Sequence, residues 1–210
     1  MEDKTAADGN TITRRRSPKG ERRRESILDA TLEVFSSTGY NSSSMADIAK
    51  IAGITTAGVL HHFPNKLSLL MAVLERQDIE THKQISVIRE EITLDGLMDY
   101  LLALMTYSAQ SYALTLAFNL LNTESLAEDH PAWQWYQERY DRVHASADHE
   151  FRLLIEKGEV RADIDAKMVR TEMFAVMDGL QIQWLRRPDN VDLVASLKMY
   201  LLRLADFLRP

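Results

Sequence analysis

Small and hydroxyl-bearing side chains at the leading end of a short helix can reach the edges of DNA bases. The fifteen residues from Ala52 to Lys66, AGITTAGVLHHFPNK, have that composition, with Thr55, Thr56 and Ala57 directly after Gly53. A second chemistry lies just upstream. Arg14, Arg15, Arg16, Lys19, Arg22, Arg23 and Arg24 oppose only Glu21, and such a run gains affinity for a polyanion by releasing its condensed counterions. The remaining candidates are weaker. His61 and His62 are adjacent and point about 100 degrees apart on a helix, so they do not make one metal site, and His144 and His149 miss the i, i+4 spacing of helical ligand pairs. Glu90-Glu91 and Glu128-Asp129 read as solvated charge rather than an acid and base pair. No phosphate loop, nucleophile elbow or metal motif occurs, so neither a cofactor nor a metal is expected and the chain is not read as an enzyme.

The candidates need elements to hold them. Residues 1 to 18 are polar, contain Gly9, Asn10 and Pro18, and read as a mobile basic arm. From Glu21, Ile27, Leu28, Thr31, Leu32, Val34 and Phe35 form the stripe of a first helix that stops at Gly39. Ser44 with Asp47 three residues on predicts a capped second helix burying Ile48 and Ala49 or Ile51; Gly53 turns the chain, and Thr55 caps a third helix that ends at Pro64. Two short helices joined by a tight glycine turn make a helix-turn-helix, whose second helix enters the major groove. Asn65 is expected to cap a long fourth helix through Leu67, Leu70, Val73 and Leu74, joining this head, residues 19–66, to a body, residues 67–210.

The body shows only helical periodicity, at about Leu94–Ser111, Ala113–Leu126, Ala132–Lys157, Asp165–Arg187 and Val191–Leu208, so the expected fold is all-α with about nine helices. The last two segments carry more apolar surface than one buried face needs. Val169, Met173, Val176, Leu180 and Trp184 form one stripe and Phe174, Met177 and Leu185 widen it; Leu193, Leu197, Tyr200, Leu204 and Leu208 form another, flanked by Val194, Leu201 and Phe207. This predicts a homodimer joined as a four-helix bundle, with Gly179 marking close helix approach. Met98, Met105, Phe118, Trp133, Tyr136, Tyr140, Met173 and Met177 are candidate cavity-lining residues, and His144 is a candidate polar anchor beside an inward face of Trp133, Tyr136, Tyr140, Val143, Ala147 and Phe151. A hydrophobic or amphipathic small molecule is the expected ligand.

The formal net charge of -6 argues against a DNA binder until the chain is divided. Residues 1–66 hold 10 Lys and Arg against 8 Asp and Glu, whereas residues 67–210 hold 15 against 23. The basic excess therefore sits with the helix-turn-helix. No apolar stretch approaches the roughly 20 residues of a membrane span, and the polar start has no apolar signal core. With no cysteine, the chain suits a reducing compartment, and a cytoplasmic location is expected.

The stretch from Ser42 to Leu70, SSSMADIAKIAGITTAGVLHHFPNKLSLL, with Phe35 and Gly39-Tyr40 before it, resembles the head of the TetR family of bacterial one-component repressors. The order Asp47-Ile48-Ala49, Ala52-Gly53-Ile54, His62-Phe63 and Lys66 carries the resemblance; the body is similar in architecture and in the Asp178-Gly179-Leu180 step. The resemblance implies phosphate contacts from Ser43 and Ser44, base contacts from Thr55, Thr56 and Ala57, and a backbone grip by Lys66. Arg22, Tyr40 and His61 join the expected DNA-binding set. Leu60 stands where the family usually has a tyrosine that donates to phosphate: either that contact is lost, the favoured reading, or Leu60 packs on a thymine methyl.

The expected function is a ligand-responsive regulator that binds an inverted-repeat operator in double-stranded DNA as a dimer and is released by its effector. The alternatives are a nucleoid-type protein with little sequence preference and an all-helical enzyme, for which no convergent acid, base or nucleophile is visible.

Overall fold

The computed structural model describes residues 17–86 and 92–210. Among them the chain forms α1 (Pro18–Thr38), α2 (Met45–Ile51), α3 (Thr56–His62), α4 (Lys66–Ser86), α5 (Leu94–Ala109), α6 (Tyr112–Glu124), α7 (Trp133–Glu156), α8 (Ala166–Arg186) and α9 (Leu193–Leu208), with no strand. This is the all-α architecture that the periodicity predicts, with ends shifted by a few residues. Arg14, Arg15 and Arg16, most of the expected arm, and Glu90-Glu91 lie outside the described residues.

One boundary corrects the sequence reading. Pro18, taken as a feature of the arm, is the first residue of α1, because a proline has no N–H to leave unpaired there and its φ already suits a helix. Ser17 caps it, its Oγ accepting from the Gly20 N–H at 3.2 Å. Lys19, Arg22 and Arg23 are therefore exposed on a helix rather than on a tail. The other starts follow local chemistry. Ser44 and Asp47 cap α2 reciprocally, Asn65 and Ser68 exchange the same pair of bonds at the start of α4, and Thr93, Asp165 and Asp192 cap α5, α8 and α9.

Two cores result. Ile27, Leu28 and Phe35 of α1 pack with Ile48, Val59 and Phe63, and this core continues through Leu69, Leu70, Val73 and Leu74 of α4 to take in Leu121 and Ala132. The second core joins α5, the end of α7, α8 and α9, through Leu101, Met105, Phe151, Met173 and Leu197 among others. α1 packs most extensively on α6, so head and body share one continuous apolar contact. No single described helix is long and apolar enough to cross a membrane.

Candidate nucleic-acid interface and body cavity

The helix-turn-helix is built by a few backbone bonds. Gly53 adopts φ of 64°, a left-handed conformation costly for residues with a Cβ, and the Ile54 N–H closes the turn on the Ala49 carbonyl at 3.0 Å. Thr55 is extended, and its Oγ1 accepts from the Gly58 N–H at 3.1 Å, which starts α3. That helix divides cleanly: Val59 and Phe63 anchor it in the core, while Thr55, Thr56, Ala57, Leu60 and His61 face outward. Leu60 keeps 44% of its surface exposed, a large apolar side chain standing among Thr55, Thr56, Ala57 and His61. Arg22 on α1 and Ser44 at the start of α2 are also exposed.

Three expected DNA contacts are placed otherwise. Tyr40 is buried, edge-on to Phe35 and to His130, so its ring serves the core. Ser43 is buried too, its Oγ donating to the Tyr40 carbonyl at 2.7 Å, which turns the hydroxyl inward. Lys66 lays its Nζ over the Tyr40 ring, 4.3 Å from the centroid, and donates to the carbonyls of Tyr40 at 2.7 Å, Ser43 at 2.9 Å and Asn41 at 3.4 Å. An ammonium offers three protons, and these carbonyls use all of them. Desolvation lowers the Lys66 pKa, opposed by nearby Glu124. The lysine thus holds the turn between α1 and α2 rather than reaching outward.

Glu124, at the end of α6, clasps the same turn from the body side. Its Oε2 accepts from the Tyr40 N–H at 2.9 Å, and its carboxylate sits so close to Gly39 that a Cβ there would displace it. His130 completes the junction: Nδ1 accepts from the Ala132 N–H at 3.2 Å, which leaves the neutral ring's proton on Nε2, 3.9 Å from Glu124 Oε2. Burial lowers the His130 pKa, while Glu124 and Asp129 draw it back up in part. Glu124 and His130 gave no sequence signal, because their partners lie on other elements.

A cavity of about 280 Å³ lies between α4, α5, α6, α7 and α8. Of the residues expected to line it, Phe118, Tyr136, Tyr140, His144 and Met177 do. Met98, Met105 and Met173 do not; they are buried in the body core. Trp133 also points elsewhere, and Trp135, edge-on to Tyr136, takes its place. Tyr140, His144 and Phe174 form a ladder of rings with centroids 3.8 Å and 4.9 Å apart. Desolvation and then Arg170 lower the His144 pKa, so its ring stays neutral near pH 7.

The polar lining escaped the sequence reading. Arg139 Nε donates to Asp78 Oδ1 at 2.8 Å, and Arg142 lies 3.6 Å from the other oxygen. Asn119 donates to Gln181 Oε1 at 3.1 Å. Asp178 also lines the cavity, with its carboxyl raised above the usual range by desolvation and drawn down in part by Arg139. A carboxylate four residues after Phe174, within an apolar stripe, was the available signal.

An outward recognition helix on a small helical head, fused to a helical body with a cavity, defines a DNA-binding regulator with its own sensor. The model described as bacterial regulatory proteins, tetR family, matches residues 27–73, and that of the BetI-type transcriptional repressor, C-terminal, matches residues 95–208. The chain belongs to the TetR family of transcriptional regulators. It is 28% identical over 204 residues to the HTH-type transcriptional regulator TtgR of Pseudomonas putida, covering 94% of this chain and 97% of that protein, and 26% identical over 205 residues to AcrR of Shigella flexneri, covering 90% of each. Its fold is similar to that of FadR from Bacillus subtilis in complex with stearoyl-CoA, with a TM-score of 0.74, 23% identity, and coverage of 88% of this chain and 99% of that one. A regulator from Saccharomonospora viridis in complex with choline gives a TM-score of 0.75, 23% identity, and coverage of 89% and 96%.

Proposed function

We propose that this regulator is a dimeric repressor that grips an inverted-repeat operator with one α3 from each subunit and lets go when a small molecule fills the body cavity. The observation that carries this reading is the outward face of α3, held by Val59 and Phe63 and presenting Thr55, Thr56, Ala57, Leu60 and His61. Thr55, Thr56 and Ala57 read base edges; Ser44 and Arg22 contact phosphate.

The dimer forms through α8 and α9. Met168, Ile182, Met199 and Leu202 are between 45% and 59% exposed, and Gly179 has open space beyond its Cα, so these two helices keep an apolar face beyond the one that builds the core. Packing them against their copies about a two-fold axis gives a four-helix bundle and brings two heads to the same side. Two-fold protein symmetry then requires half-sites one helical turn of DNA, or a multiple, apart.

Release follows from which elements the cavity shares. Gln77, Asp78 and Thr81 of α4 and Phe118, Asn119 and Asn122 of α6 line it, while α4 begins at Lys66 and α6 ends at Glu124 beside the head. A ligand that prefers one setting of α4 and α6 therefore prefers one setting of the heads. A thousandfold loss of operator affinity needs about 4 kcal/mol of differential binding between the two settings. That relatives of this fold were solved with stearoyl-CoA and with choline supports a ligand-holding body.

The test is competition. A duplex selected by the protein from a random pool is expected to outcompete random duplex by roughly a thousandfold or more, and Thr56→Ala to change which bases are preferred. Equal affinity for selected and random duplex would overturn the reading in favour of a sequence-tolerant DNA binder.

A further inference from the structure

Most polar groups around the cavity are already spent. Both Asp78 oxygens face arginines, the Asn119 and Gln181 amides bond each other, and Gln181 also reaches Met105 Sδ at 3.6 Å. The Tyr136 hydroxyl is directed at the Phe118 carbonyl at 3.5 Å. Asp178 differs: it stands exposed at the edge of the cavity lining, and among the described residues its carboxylate has neither a hydrogen bond nor an ion pair. Among the described residues the one lining cation, Arg139, is bonded to Asp78 and acts on Asp178 only through its field, and burial favours the neutral His144 ring.

The walls beside it are aromatic. Phe174 lies one helical turn before Asp178 and on the same face of α8, and Tyr140 and His144 continue the ring ladder from α7. Aromatic faces carry negative quadrupole density and attract cations, the more so where water is partly excluded. An unpaired carboxylate next to such faces repels anions and favours a positively charged group on an apolar body. The volume, about 280 Å³, sits near the lower end of the roughly 300–1,000 Å³ typical of small-molecule sites.

We infer, resting on the reading of the cavity as an effector site, that it takes an organic cation, an ammonium group on an aromatic or aliphatic body, with the charge at Asp178 and the body against Tyr140, His144 and Phe174. The test uses three probes that share one skeleton and differ in charge: 4-phenylbutylammonium, 4-phenylbutanol and 4-phenylbutanoate, each titrated calorimetrically into the full-length protein without DNA. The ammonium is expected to bind at least about tenfold tighter than the alcohol, a difference of about 1.4 kcal/mol, with the carboxylate weakest. In Asp178→Asn the ammonium advantage falls to about twofold or less while the alcohol's Kd stays within about twofold, which reports an intact cavity. The native protein's ranking decides by itself if that variant fails to fold.

Alcohol or carboxylate binding as tightly as the ammonium, an undiminished ammonium preference in Asp178→Asn, or no binding of any probe up to about 10 mM overturns the inference. A parallel titration on the selected duplex separates the two levels. Ammonium binding without loss of DNA would leave the cation site standing and overturn its role as an effector site; release of DNA by the alcohol at equal affinity would do the reverse.

Discussion

Lys66 is the residue at which two accounts of the head part most sharply. If its ammonium gripped a DNA phosphate, removing it would cost one released counterion and lower the slope of log affinity against log salt by about 0.9. The structure gives it to the carbonyls of Tyr40, Asn41 and Ser43 instead. Lys66→Met keeps most of the stem against the Tyr40 ring and deletes only the charged donor. The two short bonds, at 2.7 and 2.9 Å, are charge-assisted, and their loss in this partly buried turn is expected to cost about 2–3 kcal/mol in all. For a chain of this length that lowers the thermal midpoint by about 5–10 °C. Thermal unfolding and duplex-binding anisotropy at several salt concentrations, both on Lys66→Met, measure the two quantities separately. A clear loss of stability with a salt slope changed by less than about 0.3 is expected. An unchanged midpoint with a slope reduced by about one would refute the assignment and restore Lys66 to the DNA contact set.

Gly39→Ala must adopt φ of 74° and also push Glu124 off the turn, so it is expected to destabilise by about 2–4 kcal/mol, against about 1–2 kcal/mol for Gly53→Ala, which has open space; urea titration of the two variants checks the order. Burial favours neutral His130 and His144 in the folded state, so the unfolded chain binds more protons below about pH 6.5 and stability falls as pH drops from there towards the lowered folded pKa values. His130→Phe is expected to flatten that fall in urea midpoints measured from pH 7 to 5, and a slope as steep as the native protein's would count against it. Leu60→Tyr places a hydroxyl on the exposed side of α3 and is expected to tighten binding to selected and random duplex alike by about three- to tenfold; an effect confined to sites with a thymine at one position would mean that Leu60 reads a methyl.

The parts legible in the sequence were those set by neighbours along the chain. Ser44 with Asp47, Gly53, Thr55 and Pro64 fix the ends of α2 and α3 within a few residues of each signal, and once α3 is bounded its 3.6-residue period decides that Val59 and Phe63 go in and Thr56 and Leu60 stay out. The cavity was half legible for the same reason. Periodicity put Tyr136 and Tyr140 on an inward face of α7; both line the cavity, but Tyr140 stays 56% exposed, and Met98, Met105 and Met173 went to the core. The junction was not legible at all. Glu124 meets Tyr40 across 84 positions, Arg139 meets Asp78 across 61, and Lys66 meets the Tyr40 carbonyl across 26, so no local pattern announces them. The burial of Tyr40 and Ser43 was not legible either, because a polar run between two helices can turn its side chains inward beneath a lysine that folds back over it.

The central claim, that two outward α3 helices on a two-fold dimer read DNA together, is tested most directly by sequencing the duplexes this protein selects from a random pool. Enrichment of an inverted repeat whose half-sites lie one helical turn or a multiple apart is predicted, bound by two subunits or a multiple of two. A single unrepeated half-site, or a bound pool as random as the starting one, would contradict it.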